Sequence, residues 1–174
     1  MTTSSATRSI DIDAPVQEVF AFVSNPKKLL EEAFPLNRRV TVSDIVTTPE
    51  GIVTGFQWTT RFALLPFAFK ASCTRLEQIP HERIVDKYST GDLSTYVFEP
   101  SGDGTRLTST TEISRRIPLL DRLEVLVFML SKRMDHALDQ QLALIKQRVE
   151  APRQETPHAQ PEPDSAASDA SAKA

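Results

Sequence analysis

The sequence predicts one α+β domain: a curved antiparallel sheet of about seven strands wrapped around a long C-terminal helix, with two short helices after the first strand. Three observations predict it. Residues 117–150 carry an apolar stripe at steps of three and four, through Leu123, Leu130, Met134, Leu138, Leu142 and Ile145. Residues 40–113 alternate apolar and polar with period two, broken by turn residues. Between the first strand and that stretch lie helix start and stop signals.

Strand one is expected over Thr7–Ile12, where Ile10 and Ile12 alternate with Ser9 and Asp11. Residues 1–6 are small and polar and are expected to be flexible. Asp13 before Ala14-Pro15 reads as the cap of a helix with Val16, Val19, Phe20 and Val23 inward. Asn25-Pro26 ends it, since the residue before proline avoids the helical region. A second short helix is expected from Pro26 to Phe34, with Pro35 closing it.

Val40, Val42 and Ile45 begin the next strand, which runs to Thr48 before the turn at Pro49-Glu50-Gly51. Ile52, Thr54, Phe56, Trp58, Thr60 and Phe62 share one face of its successor, and the large aromatics point that face inward. Phe67, Phe69, Ala71 and Cys73 share a face of the following strand. For Arg83–Thr90 the parity stays open, because Ile84 and Tyr88 argue one way and Val85 the other. Ser94, Tyr96 and Phe98 form the next inner face. Ser101-Gly102-Asp103-Gly104 reads as a hairpin turn, after which Leu107, Ser109, Thr111 and Ile113 face in. Pro118 suits the first turn of the long helix, Lys146 and Arg148 its last, and Pro152 is expected to stop it.

The domain is therefore expected over residues 7–150. Residues 151–174 are rich in Ala and Pro, lack larger aliphatic or aromatic residues and are expected to be disordered. A net charge of -3 and a pI near 5.6 argue against nucleic acid as a partner. A lone cysteine, Cys73, excludes an intrachain disulfide and fits a reducing compartment. The N-terminus has no apolar core of a signal peptide, so the expected location is the cytoplasm.

The residues that suggest function are aromatic. Phe56, Trp58, Phe69, Tyr88, Tyr96 and Phe98 share inner faces, roofed by Leu130, Met134 and Leu138 of the helix. They are read either as the wall of a pocket for a hydrophobic ligand or as a filled core. Asp86 and Arg75 face inward under one parity; because charges are rarely buried, the outer face or a strand end is the expected place for both. His81, His136 and His158 are scattered and share no metal spacing with Cys73, so neither a metal nor another cofactor is expected. Cys73 reads as a buried thiol rather than a nucleophile. Leu64, Leu65 and Val125–Leu130 form apolar surface that packs under the neighbouring loop or meets a membrane surface or a partner.

Ile10-Asp11-Ile12-Asp13-Ala14-Pro15, followed by Val19-Phe20 and Val23, resembles the opening of the START-like (SRPBCC) helix-grip superfamily. That superfamily includes birch-pollen-allergen-like proteins, polyketide cyclases and lipid carriers. Asn25-Pro26, Phe34-Pro35, the hairpin from Phe98-Glu99-Pro100 to Leu107-Thr108 and the long helix are similar to it in the same order, over about residues 7 to 150. Ala33-Phe34 stands where many relatives carry a tryptophan, so the shape of the pocket mouth is not carried over. The resemblance implies binding or carriage of a lipid, quinone, polyketide or aromatic compound between sheet and helix. The alternatives are a polyketide cyclase or aromatase, with Asp86 or Tyr96 handling a proton, and a docking module with a filled core.

Overall fold

The structure, a computed structural model, describes residues 2–34, 39–61, 68–115 and 124–154; the side chains of residues 2–4, 39, 61, 69, 114–115, 124–133 and 152–154 lie outside the description. Strand β1 spans Thr2–Ile12 and helix α1 Val16–Ser24, followed by a π-helical turn at Lys28–Glu32. Strands β2 (Arg39–Thr47), β3 (Val53–Arg61), β4 (Ala68–Ile79), β5 (Arg83–Tyr88), β6 (Leu93–Ser101) and β7 (Gly104–Arg115) follow, and helix α2 spans Glu124–Gln154. The strands form one seven-stranded antiparallel sheet in the order β1-β7-β6-β5-β4-β3-β2. This is the expected meander, with β1 returning beside β7. No helix among the described residues is long and apolar enough to cross a membrane.

Several boundaries differ from expectation for local reasons. From Thr2 onward the N-terminus belongs to β1, because Thr2 to Ala6 pair with Arg115 to Thr111 and so extend the ladder before the expected Thr7. The N-cap of α1 is Pro15, without a side-chain cap bond; the Asp13 amide instead donates to Glu150 Oε1 at 2.7 Å. Asn25 does end α1, and its Oδ1 accepts the amides of Lys27 and Lys28 at 3.0 and 3.3 Å, which starts the next turn. The second helix is only the short π-helical turn. Its Glu31 carboxylate accepts the amide of Val42, at 2.7 Å, on edge strand β2. Pro152 does not stop α2, which continues to Gln154. The expected start of that helix at Ile117, like residues 155–174, lies outside the described residues.

The core lies between the sheet and the helices. Leu138, Leu142, Ile145 and Val149 of α2 are buried against Ile12, Val19, Val23, Phe98 and Leu107. Helix α2 is pinned along β1. Arg8 reaches Asp135 and Asp139 at 3.0 and 3.2 Å, and Lys146 Nζ donates to the Asp11 carbonyl at 2.7 Å. Across the strands the inner faces at Phe56, Trp58 and Thr60, at Ser94, Tyr96 and Phe98, and at Leu107 and Ser109 match the expected parity. Ile52 and Thr54 do not; both are exposed, and the register shift between Val46 and Thr47 turns Val53 inward in their place.

The β6–β7 hairpin fixes the end of the sheet where the helices dock. Ser101 pairs with Gly104, and Gly102 takes φ 58 in the turn. A Cβ on Gly104 would stand 2.3 Å from the Ile12 carbonyl oxygen, and the neighbouring Thr105 hydroxyl donates to the Ala14 carbonyl at 2.7 Å. Gly104→Ala should therefore cost roughly 1–3 kcal/mol of stability. Gly102→Ala, with open space around its Cβ, should cost only about 1 kcal/mol for its left-handed backbone. Urea denaturation of the two variants checks the order; equal losses would show that β1 yields at Ile12.

Candidate functional site

The open parity of β5 is resolved by pairing. Ile84 faces Tyr96, Asp86 faces Ser94 and Tyr88 faces Cys73, so Ile84, Asp86 and Tyr88 point inward. Val85 lies on the outer face and is buried there too, which is why its character misled the alternation.

Asp86 and Arg75 are not on the outer face, as the rarity of buried charge suggested; both point inward and are closed off from solvent, with side-chain exposures of 0% and 2%. The reason is mutual satisfaction. Arg75 Nε and Nη2 donate to the two Asp86 carboxylate oxygens at 2.8 and 3.0 Å. Its Nη1 donates to the Ser24 carbonyl at 2.8 Å and to Gln78 Oε1 at 2.9 Å. Four of the five guanidinium N–H donors are thus occupied. A register shift between Arg75 and Glu77 makes this possible. It leaves Leu76 outside, 56% exposed, and turns both Arg75 and Gln78 inward although they are three residues apart.

Around this pair lie the aromatic residues. Phe56, Tyr96, Phe98 and Leu138 are buried in the packed core, Phe98 in edge contact with Phe20 at 5.2 Å. Trp58, Tyr88 and Met134 are only half-buried. Trp58 meets Tyr88 edge-on at 6.5 Å and Phe34 at 6.0 Å. The side chains of Phe69 and Leu130 lie outside the description, as do Leu64 and Leu65 and the side chains of 125–130. Reasoning from the sequence missed Phe34 as part of this group. It also missed Gln141, which lies beside the Tyr96 hydroxyl. A signal for Gln141 existed: it sits three residues after Leu138, on the same helical face.

The electrostatics restrict the chemistry. Burial raises the Tyr88 hydroxyl well above its ordinary range, with Tyr96 and Asp86 adding to it. Burial likewise raises Tyr96, then Asp86, while Gln141 opposes. Both hydroxyls stay protonated and serve as donors or acceptors, not as bases. Burial, then Asp86, raises the Cys73 thiol as well. Among the described residues no group of His, Cys, Asp and Glu has the geometry to hold a metal. His81 is an exposed turn residue edge-on to Phe20 at 5.3 Å, and the exposed His136 bonds Gln140. His158 lies outside the described residues. Elsewhere an open groove of about 360 Å³ runs between Ser24, Pro26, Ile45, Val53 and Gln78; none of the aromatic residues above lines it.

Two measurements test this arrangement. Asp86→Asn leaves Arg75 buried without its counter-charge and should cost roughly 3–5 kcal/mol in urea denaturation, whereas Arg75→Met/Asp86→Leu should recover most of that loss. A double variant as unstable as Asp86→Asn would mean that the Ser24 and Gln78 contacts, not the charge pair, carry the stability. Cys73 should resist a disulfide thiol reagent at about pH 8 until urea unfolds the protein, because a raised pKa leaves little thiolate there. Rapid labelling of the folded protein would contradict its burial.

Comparison with known proteins places this geometry. The model of the family described as polyketide cyclase / dehydrase and lipid transport matches residues 3–150. Among solved structures, protein CV1439 of Chromobacterium violaceum is 19% identical with a TM-score of 0.57, over 82% of this chain and 98% of its own. TTHA0849 of Thermus thermophilus is 18% identical with a TM-score of 0.61, over 87% and 99%. The AHSA1-like protein of Aeromonas hydrophila is 14% identical with a TM-score of 0.62, over 90% and 99%. At these identities the structures speak for the fold alone. No curated protein matches the chain. With the family match covering the sheet, both short helical elements and most of α2, the chain belongs to the polyketide cyclase / dehydrase and lipid transport family.

Proposed function

We propose that the protein encloses a hydrophobic small molecule between the sheet and α2, against Trp58, Tyr88, Met134 and Phe34. One observation carries this reading. Phe34, Trp58 and Tyr88 pack against the inner core, yet they keep accessible surface while Phe56, Tyr96 and Phe98 are closed; Met134 of α2 is likewise half-buried. Tyr88 is the clearest case: it is half-buried by area, while surrounding protein raises its hydroxyl pKa strongly. That combination supports placing the ring at the wall of an enclosed space. Apolar surface leaving water for such a wall contributes roughly 25 cal/mol per Å². Binding rather than catalysis is favoured because Asp86 is fully engaged by Arg75 and the raised pKa values of Cys73, Tyr88 and Tyr96 leave no base among these groups.

Trp58 is the single tryptophan and a built-in reporter. An apolar ligand should shift its emission to the blue. At a hundred times its dissociation constant, the ligand should stabilise the fold by about 2.7 kcal/mol. Native mass spectrometry of the purified protein should reveal a bound mass extractable into organic solvent. A clean apo mass, with unmoved Trp58 emission across fatty alcohols, sterols, quinones and aromatic polyketides, would overturn the reading.

A further inference from the structure

The groove at the end of α1 lies apart from the aromatic interior, and the bonds around it sort its polar atoms. Two primary amides line it, those of Asn25 and Gln78. Asn25 Oδ1 accepts the backbone amides of Lys27 and Lys28 at 3.0 and 3.3 Å, and Gln78 Oε1 accepts Arg75 Nη1 at 2.9 Å. Those partners can only donate, so the bonded atom of each side chain is its oxygen, and the NH2 groups are what remains for the groove. Acceptors of the same wall are engaged. The Ser24 carbonyl takes Arg75 Nη1 at 2.8 Å, the Asn25 carbonyl the Leu29 amide at 3.0 Å and the Ala21 carbonyl the Ser24 hydroxyl at 3.4 Å. The other side is apolar, with Pro26, Ile45 and Val53. That surface continues at Val46 and Ile52, which are 58% and 41% exposed, so it suits an occupant longer than the groove of about 360 Å³. Charges of both signs adjoin the lining residues, Lys27 after Pro26, Asp44 before Ile45 and Glu50 before Gly51, which favours an uncharged occupant.

We propose that this groove binds an extended, proline-containing segment of a partner protein, whose backbone carbonyls accept hydrogen bonds from the Asn25 and Gln78 NH2 groups and whose small apolar side chains lie on Pro26, Ile45 and Val53. Proline follows from the balance of donors and acceptors. An ordinary residue brings an N–H that would leave water without finding an acceptor, whereas proline brings a carbonyl and no N–H. Its extended backbone is also largely preformed, so less freedom is lost on docking. The site is separate from the enclosure proposed above and does not depend on it.

The test follows the side-chain NH2 signals of Asn25 and Gln78 in proton–nitrogen correlation spectra of the full chain. The probe is a blocked, uncharged pentapeptide of alternating alanine and proline; an all-alanine peptide of the same length and N-methylacetamide are the comparisons. Both NH2 signals should move with the proline peptide, which should bind about three- to tenfold more tightly than the alanine peptide. Asn25→Asp and Gln78→Glu each keep the oxygen that the internal donors need and remove the outward donor. Each should weaken binding of the proline peptide about three- to tenfold while Trp58 emission, and so the fold, stays unchanged. NH2 signals that stay in place at millimolar peptide would overturn the site, and unchanged affinity in both variants would remove the two amides from the recognition. Equal affinity for the alanine peptide would overturn the part given to proline. N-methylacetamide binding as tightly as the peptide would replace the protein segment with a small carbonyl compound.

Discussion

The buried pair of Arg75 and Asp86 is the constraint on which the interior depends. Each charge is tolerable only because the other is held against it in a bidentate geometry, at 2.8 and 3.0 Å. The same guanidinium reaches the last carbonyl of α1, that of Ser24, where a cation also suits the negative end of the helix. One side chain thus ties β4, β5 and α1 into a single unit. Removing it would free three elements, not one contact. The pair also cancels its own charge on the inner face, because guanidinium and carboxylate are bidentate partners.

The aromatic residues divide around this centre. Towards α1 and the end of α2 they are filled: Phe20, Phe98, Leu107, Leu142 and Ile145 close on one another. Towards Phe34, Trp58 and Tyr88 keep accessible surface. The packed end supplies the stability, and the looser end is where the proposed ligand would sit. The two edges are managed differently. On β2 the Glu31 carboxylate takes the Val42 amide, while β1 is covered by α2 through Arg8 and Lys146.

The groove beside Ser24 and Gln78 shares both acceptors of Arg75 Nη1, so its wall is built from the same network. It borders exposed apolar residues at the end of the β2–β3 hairpin, among them Ile45 and Ile52. The register shifts that expose Ile52 and Leu76 lie at this same end of the sheet. Irregular pairing here is what allows the sheet to bend towards α1.

The order of the elements, the stripe of α2 from Leu138 to Val149, the inner faces of β3, β6 and β7, and the hairpin at Gly102 were all legible in the residues alone. Those features follow from period, proline and glycine, which act over a few residues. Tertiary contacts set the rest. Whether Asp86 points in or out depends on a partner eleven residues away and on a bulge at Leu76, neither of which alternation encodes. Val85 is buried on the outer face by neighbouring strands, so its hydrophobicity said nothing about parity. The extension of β1 to Thr2 comes from pairing along the full length of β7, which no apolar alternation in Thr2-Thr3-Ser4-Ser5 announces. Likewise, alternation grouped Phe56, Trp58, Tyr88, Tyr96 and Phe98 together, but only their packing separated the rings that fill the core from those that leave room beside it. Filling depends on how far apart sheet and helix are held, and that distance is a property of the whole fold.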